Sequence, residues 1–260
     1  MPNYPAQISW KSLRVLILLI ILLIVAINAW RDQNQNWKQP IFVLLHPVNA
    51  DGRATTASYI AQLKSSDFAE ARQFLDQSAR HYRQQPVYFY FQLGRTLQTL
   101  APVVPEQANI FQVIWWSLKF RFYAWRQHQA LDGAATVTLY LNYYDPKYTS
   151  TLIHSTALEK GRIGSVNVFA SNTQAQQNQI VITHELLHAF GASDKYDLTT
   201  GQPIFPVGYV NPQQQPLYPQ QYAEIMTGHI PISAQKSKMA DGLAQVKMNQ
   251  ATALEIGWLR

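Results

Sequence analysis

One stretch, residues 183–197, constrains the fold of this chain more than any other and reads Thr-His-Glu-Leu-Leu-His-Ala-Phe-Gly-Ala-Ser-Asp-Lys-Tyr-Asp. His184 and His188 stand four positions apart, which on a helix separates them by about 40° in azimuth and about 6 Å along the axis. Their imidazoles then face the same side. Gly191 predicts the end of that helix, because glycine accepts left-handed backbone angles. Asp194 follows at a distance that lets the chain return to the histidines.

Two histidines on one helix face can fill two corners of a tetrahedral zinc site. Asp194 is predicted to be the third ligand, and the fourth corner stays open for water, as a catalytic site requires. Glu185 adjoins the first histidine and is predicted to act as the general base on that water. The chain has no cysteine, so a metal site must use His, Asp or Glu. Zn²⁺ is the predicted cofactor.

The stretch resembles the active-site signature of the zincin metallopeptidases, and within them the metzincins: H-E-x-x-H-x-x-G-x-x-H, or with Asp last. The Asp variant is found in snapalysin-type enzymes. The continuation Asp194-Lys195-Tyr196-Asp197 resembles the D-x-Y-D of the immune-inhibitor-A-like peptidases. The resemblance implies a zincin-like catalytic domain with an active-site helix, zinc as cofactor and a peptide or protein as substrate.

Metzincins also place a methionine turn beneath the metal. Residues 224–228, Glu-Ile-Met-Thr-Gly, are similar to it, and Met226 is the candidate methionine. Astacins and serralysins have a metal-binding tyrosine two residues after this methionine. Gly228 stands there in this chain, so that ligand is missing.

Four further residues are candidates for supporting roles. Asp197 could orient a ligand histidine or bind calcium. His229 could stabilise the transition state or serve as an alternative ligand. Glu224 is the alternative third ligand, as in the zincins that use glutamate. Tyr196 could stabilise an oxyanion.

The N-terminal part of the chain is strongly apolar. Residues 15–27 form an unbroken run of thirteen apolar residues. Extended to Leu13 and Trp30, the segment reaches eighteen residues, with Arg14 and Asn28 as interruptions, and lies between the length of a signal-peptide core and that of a spanning helix. We expect a tail at residues 1–12, an uncleaved transmembrane signal anchor at 13–30, a linker at 31–40 and the catalytic domain at 41–260. The protein would then cross the inner membrane once through this helix, with the catalytic domain in the periplasm or outside the cell.

The remaining pattern predicts an α+β domain with a mixed twisted sheet. The predicted strands are residues 41–46, 87–93, 135–142 and 165–170, and the predicted helices are 67–83, 109–126, 245–258 and a helix starting at 180. Residues 165–170 are the candidate edge along which a peptide substrate would lie. The helix at 109–126 is rich in Trp and carries three cations, so it is either a core helix or a membrane-surface helix.

The predicted function is therefore membrane-anchored, zinc-dependent endopeptidase activity. Two alternatives remain: a non-catalytic zinc- or peptide-binding envelope module, and a zinc amidase that acts on cell-wall peptides. The formal net charge of +6 comes from scattered Lys and Arg rather than from a basic recognition helix, so a nucleic-acid partner is not expected.

Overall fold

The computed structural model describes residues 10–105, 108–128, 133, 135–158 and 162–259. Residues 1–9 of the predicted tail lie outside this part of the chain. The chain divides into two compact units, Met1–Gln35 and Asn36–Arg260. The described part of the first unit contains helix α1 (Trp10–Gln33), whose described apolar side chains are largely exposed.

The second unit alternates strands and helices and then ends in four short strands followed by a small helix. Its helices are α2 (Ala54–Gln62), α3 (Ala69–Tyr82), α4 (Ile110–Gln127), α5 (Ala175–Ala189) and α6 (Gln250–Glu255). Its longer strands are β1 (Ile41–Asn49), β2 (Phe89–Leu93), β3 (Val137–Tyr144) and β5 (Ile163–Phe169). The short strands are β4 (Thr156–Ala157), β6 (Ala223–Glu224), β7 (His229–Pro231), β8 (Ser237–Met239) and β9 (Val246–Lys247).

The main sheet has the strand order β2-β1-β3-β5-β4. The first four strands are mutually parallel, and only β4 runs antiparallel, on β5. The class is thus α+β with a mixed sheet, as the order of elements predicted. Two small sheets, β6 with β9 and β7 with β8, lie in the C-terminal part.

The strands bury side chains on both faces of the sheet. On one face Val137, Leu139 and Leu141 of β3 join the main core, to which α3 and α5 also contribute. On the other face Tyr140 packs in a smaller core with residues of α4. Parallel strands covered on both faces read as nearly continuous apolar runs, as β1 does.

The predicted N-terminal transmembrane helix is wrong. Among the helices of the described residues, none is both long enough and apolar enough to cross a membrane. The unbroken apolar run at 15–27 covers only about 20 Å as a helix, against a hydrocarbon core of about 30 Å. Arg14 directly precedes this run and Asn28 directly follows it. The predicted single-pass location in the inner membrane is wrong for the same reason.

Three smaller predictions also need correction. The expected linker contains Trp37, which is buried in the main core and donates its indole N–H to the carbonyl of Ile256 at 2.9 Å. The predicted edge at 165–170 is covered at its start, because the two residues of β4 pair with Gly164 and Ser165. The predicted helix at 245–258 shrinks to α6, since residues 246 and 247 pair with β6.

Helix α5 begins at Ala175, five residues before the predicted start at Ile180. Its first turns look like a polar loop, yet Asn178 and Gln179 are buried. The amide of Asn178 accepts from the backbone N–H of Phe169 and donates to the carbonyl of the same residue. Gln179 makes the equivalent pair of bonds to the backbone of Ala71 and Asp67. These polar side chains therefore fasten α5 to β5 and α3.

Candidate metal centre

Helix α5 ends at Ala189, one residue after the second histidine of the motif. Gly191 has a φ of +97° and its N–H donates to the carbonyl of His188 at 2.9 Å, while the N–H of Ala192 donates to Leu187 at 3.1 Å. This left-handed ending satisfies carbonyls of the last turn and reverses the chain. The residues that follow return along the helix end, which brings Asp194 to the histidines.

Each histidine ring is oriented by a backbone carbonyl. Nδ1 of His184 lies 3.1 Å from the carbonyl oxygen of Ile225, and Nδ1 of His188 lies 2.7 Å from that of Ala192. A carbonyl oxygen can only accept, so Nδ1 carries the proton in both rings. In a neutral imidazole Nε2 is then an acceptor. The two carbonyls thus orient both rings and leave each Nε2 free to act as an acceptor.

Three acceptor atoms converge at the end of α5. Nε2 of His188 lies 2.9 Å from Nε2 of His184, and Oδ1 of Asp194 lies 3.1 Å from each of these nitrogens. Ligands of a tetrahedral zinc ion stand about 3.3 Å apart, given Zn–N distances of about 2.0–2.1 Å. The triangle formed by the three atoms therefore has nearly the dimensions of one face of such a site.

Glu185 lies beside this triangle and is buried. One of its carboxylate oxygens comes within 4.8 Å of a ring nitrogen of each histidine. Its Oε2 has no hydrogen-bond partner in the part of the chain that the structure describes. Burial raises the pKa of Glu185, against the lowering effect of the nearby His184 and His188. A buried carboxylate oxygen without a partner is costly unless another group completes its bonding.

The pKa values of the other members reflect their mutual contacts. Burial raises the pKa of Asp194, but its bonds to His184 and His188 outweigh this and hold the pKa well below its usual range. Burial lowers the pKa of His188, but the bond to Asp194 and the charge of Glu185 raise it above its usual value. Two arrangements can therefore supply the positive charge between these acceptors. One is a bound metal ion, and the other is a proton on His188.

Glu255 of α6 holds the loop that carries Asp194 through hydrogen bonds. Glu255 accepts from Nζ of Lys195 with both carboxylate oxygens, each at 2.6 Å. It also accepts from the N–H and the hydroxyl of Ser193, at 2.9 and 2.8 Å. Lys195 is 3% exposed and bonds Ser193 as well. Asp194 therefore sits between two residues held by one carboxylate, a contact that no local spacing in the sequence predicts.

Two more side chains lie near the site. Tyr196 has its ring 6.3 Å from that of His184, and burial together with Asp194 raises the pKa of its phenol to about 12. The charge of His154 lies near enough to lower the pKa of Glu185. The carbonyl of His154 is held at 3.3 Å by the amide of Asn167 on β5. His154 has no partner at ligand spacing in the sequence, so the motif does not reveal it.

Three predicted candidates make their described contacts elsewhere. The carboxylate of Asp197 accepts from the backbone of Thr199 and Thr200 and closes its own loop. Glu224 is fully buried, and its carboxylate accepts from the hydroxyl of Thr252 and from backbone N–H groups, including that of Met226. The ring of His229 lies 2.8 Å from the carbonyl of Thr227. None of these contacts is with the histidine pair.

The turn at 224–228 contacts the first histidine of the motif through a backbone carbonyl. The N–H groups of Thr227 and Gly228 both donate to the carbonyl of Glu224, and Gly228 has a φ of +63°. The turn presents the carbonyl of Ile225 to His184, and that of Met226 accepts from the N–H of Lys195. The Met226 side chain is fully buried in the main core. The turn thus contacts both α5 and the loop that carries Asp194.

The geometry fits a small divalent cation that takes nitrogen and oxygen ligands. Three acceptors face one another with no donor between them when both rings are neutral, an arrangement that repels itself without a cation. Two imidazoles and one carboxylate are ligands that zinc uses in catalytic sites. Two clefts of about 680 and 620 Å³ lie elsewhere, and His184, Glu185 and His188 line neither.

Comparisons with known proteins assign no family. No protein-family model matches the sequence, and no curated protein matches it. A solved structure described as "Structure of a chaperone-substrate complex" aligns with 12% identity and a TM-score of 0.32. The alignment covers 63% of this chain and 28% of that one, so the chain spans less than a third of that structure's length. A likeness of this size carries no argument about fold or function.

Proposed function

We propose that this protein is a zinc-dependent peptide hydrolase. One observation carries the proposal: Nε2 of His184, Nε2 of His188 and Oδ1 of Asp194 converge within 3.1 Å of one another. Beside them lies a buried carboxylate oxygen of Glu185 that has no hydrogen-bond partner among the described residues. The first three atoms would hold the metal, and the Glu185 carboxylate would transfer the proton. The resemblance of the motif to that of the zincins and metzincins points the same way.

Zinc, when bound, supplies a Lewis acid that polarises a carbonyl and makes water acidic near neutral pH. The residues of the chain supply the remaining steps. Glu185 accepts a proton from the attacking water at its carboxylate and returns it to the leaving nitrogen of the peptide. Its burial suits this task, since desolvation raises its pKa towards the working range of a general base. The Tyr196 phenol stays protonated and can donate to the developing oxyanion.

Replacement of Glu185 tests the catalytic part of this proposal. Glu185→Gln keeps the size of the side chain but removes the base, so zinc content and fold should be retained. The hydrolysis rate should fall by a factor of about 100 to 10,000, the usual contribution of a general base. The measurements are metal content by mass spectrometry and cleavage of a peptide library by purified full-length protein. Cleavage by the variant at the wild-type rate would exclude Glu185 as the base.

The same preparation decides between a metal and a proton. A zinc-binding triangle predicts one zinc per chain after dialysis, lost with a chelator and regained on addition of zinc. An ion pair between His188 and Asp194 predicts no metal and no response to chelation. A chain that binds zinc but cleaves no peptide in the library would instead be a zinc-binding module.

A further inference from the structure

We propose that the outward face of α4 is a docking surface for an anionic lipid bilayer, on which the helix lies without spanning it. This inference is independent of the proposed function. Helix α4 runs from Ile110 to Gln127. Seven large apolar residues on it are more than half exposed: Ile110, Phe111, Ile114, Trp115, Leu118, Phe122 and Trp125.

These side chains form one stripe. At about 100° per residue they fall within an arc of about 140° around the helix. The buried side chains of the same helix, Trp116, Phe120 and Tyr123, pack on the sheet and are centred about 180° from the middle of that arc. The core thus accounts for one face of α4, and the stripe is the other face. Exposed apolar patches of this size mark interaction sites.

The charges around the stripe identify the occupant. Helix α4 has no acidic residue and carries Lys119, Arg121 and Arg126, all exposed. By the same helical geometry Lys119 and Arg126 lie at one rim of the stripe, and Arg121 lies near the other. Nζ of Lys119 stands over the Trp115 ring, 5.4 Å from its centroid. Apolar side chains with Trp and flanking cations are the composition of helices that lie in the interface of anionic membranes.

A second copy of this chain fits the same surface poorly. The formal net charge is +6, and two α4 helices face to face would bring cations together without a counter-charge. The surface is also the convex side of one helix rather than a groove. Leu100 and Val103, in the segment before α4, are exposed as well, by 40% and 68%, and add apolar surface close in sequence.

The absence of cysteine allows a site-specific test in the full chain. A nitroxide label on Leu118→Cys reports the stripe, and one on Gln77→Cys, exposed on α3, is the matched control. Vesicles of phosphatidylcholine with phosphatidylglycerol should raise the oxygen accessibility of the label at 118 and lower its access to a water-soluble nickel complex. The label at 77 should not change, and pure phosphatidylcholine should have much less effect.

The double variant Lys119→Glu and Arg126→Glu should reduce the fraction of label 118 that enters the bilayer by about thirtyfold or more at equal, non-saturating lipid. A label at 118 that stays in water while the chain sediments with vesicles would overturn the proposal, because another segment would then make the contact. If the label at 118 loses access to the nickel complex without lipid, and the loss grows with protein concentration, the stripe is a self-association surface. That result would also overturn the proposal.

Discussion

At the scale of single residues, the decisive question is which carboxylate completes the histidine pair. The Asp194 carboxylate touches both ring nitrogens, whereas that of Glu224 is committed to Thr252 and to backbone N–H groups. A carboxylate already used by buried partners is a poor ligand, because its desolvation has been balanced elsewhere. We therefore propose Asp194 as the third ligand and a structural role for Glu224.

Replacement of these two carboxylates checks the assignment. Asp194→Ala should lower zinc affinity by more than the roughly 10–100-fold that outer-shell contacts contribute, because a direct ligand is lost. Asp194→His should retain zinc, since imidazole is also a zinc ligand. Glu224→Gln should leave the affinity near that of the wild type. Competition with a chromophoric chelator measures all three, and an empty site only in the Glu224 variant would reverse the assignment.

The hydrogen bonds of Glu255 to Ser193 and Lys195 hold the loop around Asp194, so their loss should affect zinc binding. Glu255→Gln should weaken zinc binding by about 10–100-fold, as loss of an orienting contact does. Asp241→Asn is the control, because it breaks an exposed ion pair with Lys238 and should change nothing. Glu255→Gln alone also leaves the buried Lys195 cation without its ion pair, which lowers stability. Adding Lys195→Met removes that cation and should restore the stability but not the zinc affinity. Recovery of both would make the contact purely structural.

At the scale of elements, the left-handed end of α5 places Asp194. Gly191→Ala should reduce the free energy of unfolding by about 1–2 kcal/mol, the cost of a side chain in that conformation. Gly201→Ala is the matched control, since Gly201 has a φ of +69° in the loop closed by Asp197. Urea unfolding should show similar losses for both variants, but only Gly191→Ala should weaken zinc binding. Wild-type affinity in that variant would separate the helix end from the site.

Sequence spacing predicts the parts of the site that lie on one helix and its end. His184, His188 and Gly191 follow from helical geometry, and Asp194 follows once the chain turns back. The orienting carbonyl of Ile225 and the hydrogen bonds of Glu255 do not follow, because they join segments 41 and 62 residues apart. Asp197 looks like a supporting residue in the motif, yet its carboxylate caps a local turn instead.

The fold shows the same division. The longer strands of the sheet and helices α3 and α4 come from clear apolar periodicity. The strands β4 and β6 to β9 have two or three residues each. That is too short for an alternation of apolar and polar residues to be recognised in the sequence. Helix α2 contains two threonines and an isoleucine, β-branched residues with low helix propensity, and its position depends on packing.

At the scale of the whole molecule, Glu224 makes folding stability depend on pH. Burial raises its pKa from 4.5 to about 7, against the lowering effect of Thr252, nearby backbone N–H groups and Lys195. The folded state therefore binds a proton more tightly than the unfolded state. This contribution to stability is fully present below pH 4.5 and is lost as the pH rises to about 7. At about 1.4 kcal/mol per unit it amounts to about 3 kcal/mol.

Glu224→Gln isolates this effect, because it removes the titrating group and leaves the other carboxylates unchanged. Between pH 5 and pH 8 the unfolding free energy of the variant should rise by about 2–3 kcal/mol relative to that of the wild type. Urea unfolding of both proteins across this range gives the difference directly. Parallel curves for the two proteins would show that Glu224 is ionised in the folded state throughout.

The bond from Trp37 to the carbonyl of Ile256 joins residues that lie 219 positions apart. The same indole packs against Phe190, just past the end of α5, with ring centroids 4.8 Å apart. At a synthesis rate of about 5–20 residues per second, Ile256 is added to the chain about 10–45 s after Trp37. Glu255, which holds the loop of Asp194, is made one residue before Ile256. The histidine motif therefore leaves the ribosome before its surroundings exist, and its geometry is acquired only when the two ends of the domain meet.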